Sequence, residues 1–152
     1  PQRPSVIVGM GVDSSPLSIR GKADGNEVGA PRRDVPYILC LGRKSEEKGL
    51  GRLLQDFQRW RAEREGGVEL HLAGRGHRFS GDGVVDHGFV SEAEKDRLLR
   101  GAAFVVSPSR RESFSIAVLE GLVRGVPALV DGACDVNLAH VRDGCCGLWY
   151  RN

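Results

Sequence analysis

No apolar run in this chain approaches the roughly 18 residues that a helix needs to cross a bilayer, and no charged-then-apolar leader opens it. A soluble protein without a transmembrane segment is the expectation. The four cysteines, Cys40, Cys134, Cys145 and Cys146, include no C-x-x-C pair and have no histidine at ligand spacing. That argues against a metal site and for free thiols in a reducing compartment, the cytoplasm by default. Lysine is scarce: arginine outnumbers it 18 to 4, yet acidic residues are interleaved with the arginines and the net charge is only +2. A mixed solvated surface is therefore expected, and a basic stripe for nucleic acid is not. An initiating methionine is also lacking. The chain begins at Pro1 and stops at Asn152 directly after an apolar, strand-like stretch, so it reads as a fragment.

What is present suits one compact domain, since 152 residues can bury a core without disulfides or metal. Short runs rich in Val, Ile and Leu occur at 37–41 (YILCL), 69–73 (ELHLA), 84–90 (VVDHGFV), 104–107 (FVVS), 128–130 (ALV) and 148–150 (LWY). Several are nearly continuous in hydrophobicity, as a parallel sheet covered on both faces requires. Between them, Leu50, Leu53, Leu54, Phe57 and Trp60 make a helical stripe within 46–65. Ser91, with Glu94 three positions on, forms a capping-box signal ahead of Leu98, Leu99 and Ala102. Phe114, Ala117, Val118, Gly121 and Leu122 form another stripe that closes at Gly125 and Pro127. Strand and helix thus alternate from residue 37 onward. The expected fold is a Rossmann-like α/β, doubly wound, mostly parallel sheet of about six strands with helices on both faces. Residues 14–36, dominated by Gly, Pro, Ser and charge, read as loop or linker, which divides the chain into 1–36 and a folded part at 37–152.

Ligands of such sheets sit at the carboxyl ends of the strands, and three stretches fall there. In LGRKSEEKG (41–49), Gly42, Arg43 and Lys48 follow the first strand and open the first helix, a place suited to a diphosphate. It is not a Walker P-loop, and pairing of the two bases with Glu46 and Glu47 is the alternative. In LAGRGHRF (72–79) the third glycine of a dinucleotide fingerprint is missing, so turn geometry accounts for Gly74 and Gly76, and Arg75 and His77 are marginal candidates for the same cleft. In SPSRRESFSIAVLEGLVRGVP (107–127), Glu112 precedes a helix that Ser113 is expected to cap, which makes the backbone N–H groups of Phe114 and Ser115 free donors. Glu120 lies about two turns along, among apolar neighbours. Sugar or ribose hydroxyls would satisfy both carboxylates. Pairing of Glu112 with Arg110 or Arg111, and of Glu120 with Arg124, would do so equally.

Taken in order and spacing, LGRKSEEKG, LHLAGRG, the stretch from VVDHGFV through ESFSIAVLE, and VRDGCCGLWY resemble the C-terminal half of retaining glycosyltransferases of family 4, which have the GT-B fold. The resemblance covers about residues 37–150, and VIVGMGVD (6–13) is similar to the segment that leaves the N-terminal domain of such enzymes. It implies a nucleotide-sugar donor site in which Arg43 and Lys48 hold the diphosphate and Glu112 binds hydroxyls of the donor sugar. The Phe114 and Ser115 N–H groups would lie beside the phosphate, Glu120 would take the ribose, and the base would rest near the Val90 backbone and the Arg75 loop. It also implies metal-independent transfer with retention of configuration and no cofactor. Glycine is usual where Ser115 stands, and Pro-Asn where Gly9-Met10 stand. The N-terminal acceptor domain and the terminal helix are absent, so donor binding with little turnover is expected. A GT-B relative such as a nucleotide-sugar epimerase or phosphorylase, and a non-catalytic interaction domain, are the competing expectations.

Overall fold

The computed structural model of the chain describes residues 35–64 and 67–151. Most of the expected linker, and the VIVGMGVD segment with it, lies outside the described residues. Among the described residues there are six strands: β1 (Tyr37–Leu41), β2 (Glu69–Ala73), β3 (Val84–Gly88), β4 (Phe104–Ser107), β5 (Ala128–Asp131) and β6 (Gly147–Tyr150). They form one sheet in the order β3-β2-β1-β4-β5-β6, and every neighbouring pair is parallel. Four α-helices accompany them: α1 (Leu50–Ala62), α2 (Glu92–Gly101), α3 (Ile116–Leu122) and α4 (Asp135–Asp143).

Strand alternation assigns the two faces. Ile38 and Cys40 of β1 pack with Leu50, Leu53, Leu54, Phe57 and Trp60 of α1. Tyr37, Leu39 and Leu41 point the other way, onto Leu98 and Leu99 of α2. Val118 of α3 and Val141 of α4 extend that second layer over Ala128 and Val130 of β5. The sheet is therefore doubly wound, as the near-continuous apolar strands imply. The chain runs outward from β1 to β2 and β3, then returns to β4 on the other side of β1. The carboxyl ends of β1 and β4 flank this switch point.

Several elements differ from the sequence reading. The helix expected over 46–65 is split: Glu46–Lys48 forms a short 3-10 turn, Gly49 adopts a left-handed φ of 73°, and α1 then begins at Leu50. A Cβ at Gly49 would strike the carbonyl of Pro108, so the break lets the loop after β4 press against the head of α1. The strand expected over 84–90 stops at Gly88, whose φ of 71° turns the chain. Helix α4 was not anticipated, because its short stretch carries little apolar periodicity and is held by the burial of Asn137 and Val141. The Ser91 cap does form, with its hydroxyl accepting from the Glu94 N–H at 3.2 Å, but the Glu94 carboxylate turns to Arg97 at 2.6 Å and does not complete the box.

Candidate functional site

The loops after β1 and β2 lie against one another. The Gly42 N–H donates to the Ala73 carbonyl at 3.0 Å and the Lys44 N–H to that of Arg75 at 2.7 Å. Side chains at Gly74 and Gly76 would collide with the carbonyls of Gly42 and Lys44 respectively. Close backbone approach, and not ligand contact, is what both glycines supply. The loop after β1, held in place by this contact, forms one wall of a hollow of about 150 Å³ at the switch point, whose other wall is the turn after β4 and the head of α3.

Gly42, Arg43, Lys48, Glu112 and Ser115 all line this hollow. Lys48 Nζ donates to Glu112 Oε1 at 2.7 Å, with the lysine side chain 32% exposed and the glutamate 17%. Arg43 is largely exposed and meets Glu47 only at 3.9 Å, which leaves its guanidinium free to turn toward an anion. Glu112 also borders a second, more open depression of about 460 Å³ with Arg110, Arg111 and Ser113. Neither arginine takes Glu112: Arg110 Nε donates to Asp131 at 3.0 Å, as Arg52 does at 2.6 Å. On the floor of the hollow, burial pushes the Cys40 thiol up to about 12, which removes it as a nucleophile at neutral pH.

The cap of α3 is corrected, and the remaining candidates lie outside the hollow. Ser113 does not cap α3. The cap residue is Ser115, in the left-handed region at φ 60° and ψ 54°, and the helix opens at Ile116. The first-turn N–H groups near the hollow therefore belong to Ile116 and Ala117, both lining residues, instead of Phe114 and Ser115. Phe114 faces α4, where its carbonyl accepts from His140 Nε2 at 2.8 Å. Neither Arg75 nor His77 lines the hollow; Arg75 lies over the exposed ring of Phe89 at 4.5 Å. Val90 is half-buried against the α2 side of the core. Glu120 also lies off the hollow, its carboxylate 16% exposed and held by Lys95 at 2.5 Å, while Arg124 donates to its backbone carbonyl and pairs with Asp96. Burial alone would lower the Lys95 ammonium; Glu120 and Glu92 outweigh it and hold it above its usual range.

The sequence reading missed Lys44, which lines the hollow yet is 4% exposed. Its ammonium meets Asp86 at 2.5 and 2.7 Å, and Asp86 also accepts from the N–H groups of Phe79 and Gly88, both at 2.8 Å. Burial alone would raise the Asp86 carboxyl; Lys44 and the two N–H groups hold it below the usual carboxylate range. A carboxylate inside the apolar VVDHG strand was the available signal, because it demands a buried cation. Among the described residues, no cluster of three or more His, Cys, Asp or Glu is placed to hold a metal, and no helix is long and apolar enough to cross a membrane.

Searched against curated sequences, the chain finds no match. Its fold does recur in solved structures. WaaG, a glycosyltransferase involved in lipopolysaccharide biosynthesis, is 17% identical with a TM-score of 0.63, over 80% of this chain and 35% of that one. Sucrose-phosphate synthase from Thermosynechococcus elongatus is 19% identical with a TM-score of 0.65, over 80% and 33%. TarM is 15% identical with a TM-score of 0.65, over 84% and 28%. The chain thus spans about a third of the length of the solved proteins it matches, and what it shares with them is half of a GT-B architecture. The sequence profile of the family described as Glycosyl transferases group 1 matches residues 35–152, and with that match the chain belongs to this family.

Proposed function

We propose that this domain binds the nucleotide-sugar donor of a retaining glycosyltransferase, which moves a sugar from a nucleoside diphosphate to an acceptor. The observation that carries this reading is the meeting of Arg43, Lys48 and Glu112 at one hollow on the carboxyl edge of the sheet, where it reverses direction. Arg43 and Lys48 hold the diphosphate and Glu112 binds hydroxyls of the sugar. Glu120 takes the ribose, and the base rests near the Val90 backbone and the Arg75 loop.

As the glycosidic bond breaks, the departing diphosphate gains negative charge while the anomeric carbon becomes cation-like. Two cations fixed beside the diphosphate then stabilise the transition state more than the ground state. They supply the charge that a metal would otherwise bring, so the reading needs no metal or other cofactor. The acceptor belongs on the separate N-terminal domain of such enzymes. Bringing donor and acceptor together supplies much of the rate, so the isolated chain binds donor and transfers slowly or not at all. Four free thiols suit a reducing, cytoplasmic setting.

Calorimetric titration with UDP, GDP and ADP, each alone and sugar-linked, tests the reading. Saturable binding of one nucleoside diphosphate, lost in Arg43→Ala and Lys48→Ala, is expected. Flat titrations at millimolar ligand would overturn it in favour of a non-catalytic interaction domain.

A further inference from the structure

Two guanidinium groups beside the hollow have no part in the reading above. The depression of about 460 Å³ that Arg110 and Arg111 border meets the hollow at Glu112, which lines both. A sugar joined to a diphosphate in the hollow, with Glu112 on its hydroxyls, therefore extends into this depression. Arg110 is anchored there through Nε, which donates to Asp131 at 3.0 Å. Asp131 is fully buried and is fixed in turn by Arg52 at 2.6 Å and by the Ala133 N–H at 2.9 Å. One carboxylate thus serves two guanidinium groups, and it orients Arg110 while leaving the terminal amino groups of that side chain without a partner among the described residues. Arg111 forms no ion pair among the described residues. Glu112 is taken by Lys48, and Asp135, the other carboxylate at the depression, pairs with neither arginine. Two neighbouring positive charges without a counter-charge repel one another, and an anion placed between them removes that cost.

We propose that this depression is a subsite for the carboxylate of an acidic sugar, so that the donor is a nucleoside diphosphate linked to a hexuronate. The inference rests on the reading of the hollow as a diphosphate site. Glu112 keeps the sugar hydroxyls, while Arg111 and the open edge of Arg110 donate to the carboxylate, which is ionised at neutral pH. A guanidinium group only donates, and its planar fork matches the two oxygens of a carboxylate better than a single hydroxyl. A neutral hexose leaves both forks to water; a hexuronate fills them.

Calorimetry with matched pairs, UDP-glucose against UDP-glucuronate and GDP-mannose against GDP-mannuronate, tests this. The parent chain is expected to bind the acidic member of one pair about tenfold more tightly than the neutral member. Arg111→Met, and separately Arg110→Met, are expected to bring the two affinities of that pair within about threefold of each other. The ratio is the readout, so a general loss of fold, which weakens both members, does not imitate the effect. A neutral adduct that binds the parent as tightly as the acidic one, or a preference that survives both substitutions, overturns the inference and leaves the diphosphate reading standing. Free glucuronate is also titrated into the chain saturated with nucleoside diphosphate. Arg111-dependent binding of free glucuronate without a preference between the adducts would give the depression to an acidic acceptor and overturn the proposal. If the parent binds none of the four adducts, the inference is overturned, and titration with UDP, GDP and ADP alone shows whether the diphosphate reading falls with it.

Discussion

Lys48 Nζ and Glu112 Oε1, 64 positions apart in the chain, are hydrogen-bonded at 2.7 Å beside the hollow. The cation assigned to the diphosphate and the carboxylate assigned to the sugar satisfy one another, so an incoming anion competes with Glu112 for Lys48. Glu112→Gln is therefore expected to bind a free nucleoside diphosphate as tightly as the parent or several-fold more tightly, and its sugar adduct more weakly. Lys48→Met is expected to weaken both by roughly 10- to 100-fold, the loss of a charge-assisted hydrogen bond of about 1.5–3 kcal/mol. Calorimetry decides; equal weakening of both ligands by Glu112→Gln would contradict the division of labour.

Glu120 carries the complementary prediction. Its carboxylate is held by Lys95 through Oε1 at 2.5 Å, which orients the second oxygen. If that oxygen takes ribose hydroxyls, Glu120→Ala weakens the free nucleoside diphosphate and its sugar adduct by the same factor, about tenfold. A loss confined to the sugar adduct would remove Glu120 from the ribose.

The Lys44–Asp86 pair joins the loop after β1 to β3 with both side chains 4% exposed. Lys44→Met leaves the buried Asp86 charge with only the exposed guanidinium of Arg78, at 3.6 Å, as a counter-charge, at a cost of about 3 kcal/mol. Lys44→Met combined with Asp86→Leu recovers only part of that loss, because the Phe79 and Gly88 N–H groups lose their acceptor. Urea denaturation midpoints of the two variants measure the difference. A single variant that unfolds at the parent midpoint would show that the pair is dispensable.

Stability is expected to fall in two steps as pH drops. His87 is held below its ordinary value of 6.5, first by burial and next by His71, with Arg97 adding to this and Glu94 and Asp86 opposing it. The unfolded chain then takes up a proton that the folded chain resists, so this share of stability is complete above about 6.5 and is lost below it. Asp86, Asp96 and Asp131 follow. For Asp96, Arg100 is the leading cause; for Asp86 and Asp131 burial comes first but is outweighed by hydrogen bonds and nearby cations. Each lies below the ordinary 3.8, so their share is present above that value and is lost as pH falls through the folded-state values. Melting temperatures from pH 7 to 3 report both steps. His87→Gln should flatten the upper step and leave the lower; an unchanged slope between pH 7 and 5 would exclude His87 as its source.

Much of this protein is legible one segment at a time. All six strands, the α1 stripe and the Ser91 cap follow from residues within a few positions of each other, because burial on two faces imposes its own periodicity and a cap needs only its own helix. Gly42, Arg43, Lys48 and Glu112 were legible for a similar reason: the switch-point rule places them on the same sheet edge once strands and helices are known.

Tertiary structure alone decided which charges meet. Lys48 binds Glu112, Arg110 and Arg52 bind Asp131, Lys95 binds Glu120, and Lys44 binds Asp86. An ion pair between distant segments is set by where two loops end up, and a guanidinium or ammonium donates to whichever carboxylate arrives. The break at Gly49 and the left-handed turn at Ser115 belong with these, since each depends on what the loop after β4 presses against or opens onto. Local sequence determined the sheet and which groups lie at its carboxyl edge; packing between distant segments determined how those groups are paired.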